Sequence, residues 1–231
     1  MKLQDAVIIV TGASRGIGKA LVTAFESEGA TVIGCSRSGN EDTRVVDVSD
    51  PDAVSALVHS VIDEHGRVDV LINNAGVIHQ YHPLEEISLE DYTKCIDCNI
   101  GSVFYGMRSV LAHMKKNNSG IIINIGSMAG TVSHPNISVY SATKFAVLGL
   151  TQTVAKELND DNSAVLCINV SPGGTDTDMR KELLGEEASK SQNPEIVARI
   201  VSDILTEKIA VENGMNVQIV RGEISAKVSM Q

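Results

Sequence analysis

Short apolar runs alternate with amphipathic helical patterns along the whole chain. Strands covered on both faces are expected to be continuously apolar, and six runs meet this condition, at residues 6–10, 30–35, 68–72, 121–125, 164–170 and 215–220. A helical stripe follows the first run, with Ile17, Leu21, Ala24 and Phe25 at spacings of 0, 4, 7 and 8. The alternation predicts an α/β fold with a doubly wound parallel sheet between two helix layers. Since no linker or repeat interrupts it, we expect residues 1–231 to form a single domain.

One connection departs from this alternation. Only eight residues separate Cys35 from Arg44, where a weak strand ending at Asp47 begins. Because a crossover connection needs about a dozen residues or more, we expect a loop there and little of a second helix. The helix that follows is well marked, since Asp50-Pro51 is typical of a helix start and Gly66 of a helix end.

Charge and composition disfavour several classes of function. A formal net charge of −10 argues against nucleic acid or an anionic membrane surface as the main partner. No apolar run approaches the roughly 20 residues of a membrane-spanning helix, and the amino terminus has the pattern of a first strand rather than of a signal peptide. We therefore expect a cytoplasmic protein whose four cysteines are reduced.

The first apolar run ends in a glycine-rich turn. Residues 11–18 read Thr-Gly-Ala-Ser-Arg-Gly-Ile-Gly and lead directly into the first helical stripe. Glycines let the backbone turn tightly and approach a pyrophosphate, and a helix N-terminus offers free N–H groups to the anion. The turn therefore indicates a nucleotide site, with the candidate residues Gly12, Ser14, Arg15, Gly16, Ile17 and Gly18.

Two further motifs make this interpretation specific. Residues 73–76 read Asn-Asn-Ala-Gly and residues 140–144 read Tyr-Ser-Ala-Thr-Lys. With the glycine turn, these segments resemble the signature set of the short-chain dehydrogenase/reductase family over most of the chain. The resemblance implies a Rossmann-type sheet, a nicotinamide dinucleotide, and hydride transfer to or from a carbonyl or alcohol. One domain then holds both the dinucleotide site and the catalytic group.

The end of the second strand favours NADPH over NADH. An NAD-selective site places an acidic residue about 20 residues beyond the glycine turn, whereas this chain reads Cys35-Ser36-Arg37-Ser38. Arg37 and Arg15 can pair with a 2′-phosphate, to which Ser36 and Ser38 can donate. The resemblance implies the other cofactor contacts, which are Asp47, Val48, Asn74, Ala75, Gly76, Tyr140, Lys144, Pro172, Gly173, Thr175 and Thr177.

The catalytic candidates centre on one helix. Tyr140 and Lys144 are four residues apart and therefore share a helix face. A free tyrosine has a pKa of about 10, and a lysine ammonium nearby favours the phenolate and lowers that pKa. The phenol can then donate a proton to a carbonyl oxygen as hydride arrives. The resemblance adds Ser127, which orients the carbonyl, and Asn99, which holds a water that links Lys144 to solvent.

A metal site is disfavoured. His79-x-x-His82 and Cys95-x-x-Cys98 have a superficial zinc-ligand spacing, but the cysteines fall within a long helix expected at residues 88–116. We therefore expect no bound metal. His79, His82 and His134 fall in loops after strand ends, where they can touch substrate, and receive no catalytic role.

The substrate stays open between two classes of carbonyl compound. A small ketone, aldehyde or diketone is favoured, because the chain is acidic and the segment after Thr177 is short. The alternative is a 3-oxoacyl group on a carrier protein, which would need a basic docking patch. A different class of function, a non-catalytic NADPH-sensing module, would be expected to have lost Tyr140, Lys144 or Ser127, and none is lost.

The long helices predict self-association. The helix at residues 89–114 carries more apolar surface than one side of a sheet covers, namely Ile96, Ile100, Val103, Phe104, Met107, Val110 and Leu111. Packing on a two-fold mate, together with the helix at residues 139–158, predicts a homodimer or homotetramer. The carboxyl end lacks the family's Gly-Gly pair and reads Val220-Arg221-Gly222-Glu223, which favours the dimer.

Overall fold

A computed structural model of the chain describes residues 1–39 and 42–229. The strands are β1 (Val7–Thr11), β2 (Thr31–Ser36), β3 (Thr43–Val45), β4 (Val70–Asn73), β5 (Ile121–Ile125), β6 (Leu166–Pro172), β7 (Asn216–Val220) and β8 (Glu223–Val228). The helices are α1 (Gly16–Ser27), α2 (Pro51–His65), α3 (Leu89–Cys95), α4 (Ser102–Asn117), α5 (Ser138–Asp160), α6 (Asp178–Leu184) and α7 (Pro194–Leu205). A π-helical segment, Ile96–Gly101, joins α3 to α4, so the long helix predicted at residues 88–116 is continuous. Within the described ranges, no helix is both long enough and apolar enough to cross a bilayer.

All eight strands form one sheet in the order β3-β2-β1-β4-β5-β6-β7-β8. Strands β1 to β7 pair in parallel, which confirms the predicted doubly wound α/β architecture. The strand order reverses between β1 and β4, and ligands of open α/β sheets bind beyond the carboxyl ends of strands at such a point.

Alternate residues of the strands supply two separate cores. Val7 and Ile9 of β1 join the core beneath α2, α4 and α5, whereas Ile8 and Val10 join the core beneath α1 and α7. Every position of β1 is therefore buried. Helices on both faces explain why the strand sequences are continuously apolar.

The connection between β2 and β3 contains no helix in its described residues, as the short spacing predicted; Asn40 and Glu41 lie outside the described ranges. Strand β3 ends at Val45, two residues earlier than predicted. Helix α2 begins as predicted, because the Asp50 side chain accepts from the N–H groups of Asp52 and Ala53. It ends at Gly66, whose φ of 73° is left-handed.

The last strand departs from the parallel pairing of the rest of the sheet. Strand β8 runs antiparallel to β7, with Val220 opposite Glu223. The two residues between them, Arg221 and Gly222, have φ values of 53° and 85°. Two consecutive positive φ angles are typical of the tight turns that join hairpin strands, and glycine adopts them readily. The carboxyl end therefore folds back along β7.

Candidate active site

Two clefts meet at the carboxyl edge of the sheet, and Tyr140 borders both. The first, here called the glycine-turn cleft, has a volume of about 470 Å³ and lies over the reversal of strand order. The second, the α6 cleft, has a volume of about 600 Å³ and lies beneath α6. Fifteen of the residues predicted to bind the cofactor border the glycine-turn cleft: Gly12, Ser14, Arg15, Gly16, Ile17, Ser36, Arg37, Asp47, Val48, Asn74, Ala75, Gly76, Tyr140, Lys144 and Thr177.

The glycine turn brings backbone close to backbone. A Cβ atom at Gly12 would lie 2.8 Å from the Cα of Ala75, and one at Gly18 would lie 2.1 Å from the carbonyl oxygen of Gly12. Gly18 does not border the cleft, so its absence of a side chain serves the packing of α1 on β1 rather than a ligand contact. Arg15 precedes α1 without a side-chain cap, which leaves the first N–H groups of the helix available to an anion.

The loop after β4 is fixed to this turn. The amide of Asn74 donates to the carbonyl oxygen of Thr11 at 2.9 Å and to that of Gly12 at 3.2 Å. The backbone N–H groups of Asn74 and Ala75 both donate to the hydroxyl of Thr11 at 3.0 Å. These bonds hold two walls of the glycine-turn cleft together before any ligand arrives.

The two cations expected to contact a 2′-phosphate, Arg37 and Arg15, both border the glycine-turn cleft. Arg37 is exposed there, whereas Ser36 is buried and its hydroxyl accepts from the N–H of Gly39. Arg15 pairs with Glu182 of α6 at 2.8 Å. The Ser49 hydroxyl and N–H donate to Asp47 and hold its pKa below its ordinary value, with a smaller contribution from the charge of Arg37. Asp47 is therefore an ionised acceptor at neutral pH.

Tyr140 and Lys144 lie on one face of α5, as their spacing predicted. The Lys144 Nζ is 5.8 Å from the Tyr140 ring centroid and donates to the carbonyl oxygen of Ile125 at 2.9 Å. Burial lowers the pKa of Lys144 to about 8. Burial raises the pKa of Tyr140, and a hydrogen bond with Ser127 only partly offsets this. In this arrangement the Lys144 ammonium is directed at a strand carbonyl. The lowering of the Tyr140 pKa that we expect from Lys144 together with an oxidised nicotinamide ring stays a prediction.

Ser127 stands at the end of β5 and borders the α6 cleft. Its hydroxyl accepts from the N–H of Ala129 at 3.1 Å, which caps a short 3₁₀ turn and fixes the side chain. The Ser127 and Tyr140 side chains both border the α6 cleft, so a polar oxygen placed there can meet both groups.

Asn99 is fully buried and borders neither cleft. It lies in the π-helical segment, a geometry often found at functional sites. Its amide oxygen accepts from the N–H of Val77 at 2.8 Å, and its amide nitrogen donates to the Val77 carbonyl oxygen and the Thr143 hydroxyl, each at 2.9 Å. Asn99 therefore fastens the loop after β4 to α5; the water that the sequence led us to expect beside it stays a prediction.

Comparison with known proteins decides the family. Residues 6–188 match the family model described as short chain dehydrogenase. The chain belongs to the short-chain dehydrogenase family. It is 32% identical to the 3-oxoacyl-(acyl-carrier-protein) reductase of Vibrio cholerae, over 95% of this chain and 97% of that one. It is 30% identical to the NADPH-dependent pterin aldehyde reductase of Arabidopsis thaliana, over 90% of each chain. The solved structure of ElxO with NADP bound superposes with a TM-score of 0.83 at 28% identity, over 94% of this chain and 97% of that one.

The predicted family and fold are therefore confirmed. As a short-chain dehydrogenase, the chain is an oxidoreductase that acts on carbonyl or hydroxyl groups. Three predicted cofactor residues, Pro172, Gly173 and Thr175, border the α6 cleft rather than the glycine-turn cleft. Several residues of this dehydrogenase that border the glycine-turn cleft were not predicted to bind the cofactor, namely Val46, Val77, Cys98, Ile125, Gly126, Asp178 and Met179. Most are apolar or small, and no sequence motif marks them.

The three loop histidines of the dehydrogenase have different surroundings. His134 borders the α6 cleft. His79 is buried, with its Nδ1 2.6 Å from the carbonyl oxygen of Gln80. His82 lies 3.4 Å from the carboxylate of Glu86. Across residues 1–39 and 42–229, no group of three or more histidine, cysteine or acidic side chains is placed to hold a metal ion.

Proposed function

We propose that this short-chain dehydrogenase is an NADPH-dependent reductase that transfers a hydride to the carbonyl of a small ketone, aldehyde or diketone. In this proposal residues 1–231 form one dinucleotide-binding and catalytic domain, with Asn99, Ser127, Tyr140 and Lys144 as its catalytic group. The supporting observation is the position of Tyr140, which borders both clefts. A cofactor in the glycine-turn cleft and a carbonyl in the α6 cleft would meet at its phenol.

The residues of the glycine-turn cleft fit a dinucleotide. The uncapped N–H groups at the start of α1 and the close approach of Gly12 to the loop after β4 suit a pyrophosphate. Asp47 and Val48 border the end where an adenine would lie, and Lys144 borders the end where a nicotinamide ribose would lie. When bound there, NADPH supplies the hydride.

The proton comes from the protein. Because burial raises the pKa of Tyr140, its phenol keeps its proton at neutral pH and suits a reduction. As hydride adds to the carbonyl carbon, the O–H bond of Tyr140 breaks and its proton passes to the carbonyl oxygen, which becomes the alcohol. Ser127 donates to that oxygen and orients it. The phenolate that remains lies beside the Lys144 ammonium, which stabilises it until solvent returns the proton.

Arg37 supports a preference for NADPH. It is exposed at the glycine-turn cleft, where its charge can meet a 2′-phosphate. Arg15 can contribute if it releases Glu182, and an exposed ion pair of this kind is worth only about 0–1 kcal/mol. The Arabidopsis relative is described as NADPH-dependent, and ElxO was solved with NADP bound. Both comparisons favour the same cofactor for this chain.

Reduction of a 3-oxoacyl group on a carrier protein is the second candidate. The Vibrio cholerae relative carries that activity in its description, and it matches nearly the whole chain. Self-association and a cytoplasmic location, both expected from the sequence, stay predictions.

The test is a panel of carbonyl compounds assayed by the loss of NADPH absorbance. The panel contains ketones, aldehydes, diketones and one 3-oxoacyl thioester, each with NADPH and with NADH. We expect turnover of a small carbonyl compound with NADPH, and none in the Tyr140→Phe variant. Preferred turnover of the thioester would support the second candidate, and turnover that persists in Tyr140→Phe would contradict the proposed chemistry.

A further inference from the structure

The α6 cleft combines apolar walls with one fixed cation. Its walls carry Ile78, Met128, Val132, Ile137, Leu183 and Val220. Arg180 of α6 borders the same space, together with Ser127 and Tyr140. A volume of about 600 Å³ is within the range of small-molecule sites, which are mostly apolar with a few placed polar groups.

The guanidinium of Arg180 is held in one orientation. Its Nε donates to the hydroxyl of Ser191 at 2.7 Å. Its Cζ and Nη2 lie against the backbone of Gly174, so closely that a Cβ there would be 2.8 Å from both atoms. One edge of the guanidinium is therefore occupied by Ser191, and the two Nη groups remain for another acceptor.

Of the acidic residues adjacent to Arg180 in the sequence, Asp176 and Glu182 are paired with other cations, and Asp178 borders the glycine-turn cleft rather than the α6 cleft. Asp176 lies 3.3 Å from Lys181, and Glu182 lies 2.8 Å from Arg15. Among the carboxylates that the structure describes, none forms an ion pair with Arg180. A partly buried cation without an anionic partner is unfavourable in an apolar cleft, and a ligand carboxylate would remove that cost.

We propose that Arg180 binds a carboxylate of the substrate, and that this dehydrogenase acts on oxo acids with an apolar carbon chain. The planar fork of an arginine matches a carboxylate with two parallel hydrogen bonds. The apolar walls receive the carbon chain, while the carbonyl oxygen faces Ser127 and Tyr140. Arg180 is close enough to Tyr140 for its charge to lower the pKa of that phenol slightly against the effect of burial. The assignment rests on the proposed reduction at Tyr140 and deepens it by naming the substrate class.

The first test compares oxo acids with their methyl esters. A series in which the carbonyl moves stepwise away from the carboxylate is assayed with NADPH on the wild-type protein, Arg180→Met, Arg180→Lys and Lys181→Met. Lys181→Met is the matched control, because this substitution removes the same charge one position along the chain. Lys181 itself does not border the α6 cleft. We expect at least one acid to exceed its ester about tenfold or more in kcat/KM, as for a charge-assisted pair.

The variants should differ in their preference for the acid over its ester. Arg180→Met should lose that preference, because its kcat/KM falls far more for the acid than for the ester, whereas Arg180→Lys should retain part of the preference and Lys181→Met all of it. Equal use of acids and esters by the wild-type protein would overturn the assignment. So would an equal loss on both in Arg180→Met.

A binding measurement separates this proposal from the proposed function. Butanoate, hexanoate and octanoate, their amides, and hexyl phosphate are titrated calorimetrically into the protein with and without NADPH. Carboxylate binding that is tighter than amide binding and is lost in Arg180→Met supports the assignment, even if no carbonyl compound is reduced. Equal binding of acids and amides, or a preference for hexyl phosphate, overturns it even if neutral ketones are reduced.

Discussion

The side-chain amide of Asn99 donates to the hydroxyl of Thr143 at 2.9 Å, and both side chains are fully buried. The Thr143 hydroxyl in turn donates to the carbonyl oxygen of Tyr140 at 2.7 Å. The π-helical segment is thereby connected to the turn of α5 that carries Tyr140 and Lys144. The catalytic group is held by a continuous chain of bonds that begins at Val77 of the cofactor-side loop.

Removing the Thr143 hydroxyl from this series of hydrogen bonds should lower both the stability of the fold and the turnover of the enzyme. Thr143→Val leaves a buried N–H of Asn99 without its acceptor, which costs about 1–3 kcal/mol. We expect kcat to fall while the KM for NADPH stays near its wild-type value, and Thr143→Ser, which keeps the hydroxyl, to remain close to wild type. Denaturant unfolding and steady-state kinetics check this. Equal unfolding midpoints for Thr143→Val and Thr143→Ser would contradict the proposed role of the Thr143 hydroxyl.

Replacing Tyr140 with phenylalanine should separate chemistry from binding. Only the proton donor is deleted, so kcat should fall by about 100-fold or more, in the range of general acid catalysis. The Kd for NADPH, measured by fluorescence titration, should change little. Tyr81→Phe is the matched control, since Tyr81 borders the same α6 cleft but is not placed in the proton transfer. Similar losses in both variants would count against Tyr140 as the donor.

Lys144 should destabilise the cofactor-free protein at neutral pH. Its pKa is lowered from 10.5 to about 8 by burial, a shift that corresponds to about 3 kcal/mol. The unfolded chain binds the proton more tightly, so the cost is complete below pH 8 and is relieved as the pH rises from about 8 toward 10.5. Lys144→Met should therefore gain about 2 kcal/mol at pH 7, once the lost bond to Ile125 is counted.

The gain in stability of Lys144→Met should shrink at alkaline pH, while the turnover of this variant stays impaired at every pH. Urea unfolding of the cofactor-free protein between pH 7 and pH 10 measures the gain, with Lys156→Met, an exposed position on the same helix, as the control. A variant that is less stable than wild type at pH 7 would show that the Lys144 ammonium is stabilised in its site rather than penalised.

Arg37 should decide the choice between the two dinucleotides. Arg37→Asp places a carboxylate where a 2′-phosphate would lie, and we expect the Kd for NADPH to rise by about tenfold or more while the Kd for NADH falls or stays constant. The same charge reversal at Arg221, in the turn between β7 and β8 and outside both clefts, should change neither value. An unchanged ratio of the Kd values for NADPH and NADH in Arg37→Asp would show that Arg37 does not contact the 2′-phosphate.

Strands buried on both faces were the readily predicted part of the fold. In β1 all five residues are buried, and their apolar run marks the strand directly. Strand β8 could not be found in this way, because it lies at the edge of the sheet and its residues are exposed or half-buried. Its sequence, Glu-Ile-Ser-Ala-Lys-Val, alternates polar and apolar residues and therefore contains no continuous apolar run. The glycine at position 222 was the one local signal of the turn that precedes it.

The site was predictable where a motif carries the chemistry. The four-residue spacing of Tyr140 and Lys144 was enough to place them on one helix face, but spacing says nothing about burial. The pKa of Tyr140 is raised because its surroundings exclude water, which only the assembled fold reveals. Arg180 follows no motif, and its place in the α6 cleft depends on how α6 folds over the end of β6.

The exposed aromatic residues of the long helices support the prediction of a homodimer. Phe104 of α4 and Phe145 of α5 are 46% and 44% exposed, although their neighbours Val103 and Met107 are buried in the core. Large apolar groups left outside a core in this way are typical of surfaces that meet a partner. We expect light scattering in dilute solution to give twice the chain mass of 24.6 kDa.

The double variant Phe104→Asp with Phe145→Asp should shift that mass toward the monomer, because each helix would then bring its carboxylates against those of its two-fold mate. The matched control is Val45→Asp, which places the same charge on an apolar side chain that is 73% exposed. Val45 lies in β3, at the opposite edge of the sheet from β8, and belongs to neither α4 nor α5. A wild-type mass equal to that of one chain would contradict the predicted homodimer. A larger assembly that dissociates in Val45→Asp but persists in the double variant would move the interface to the β3 edge.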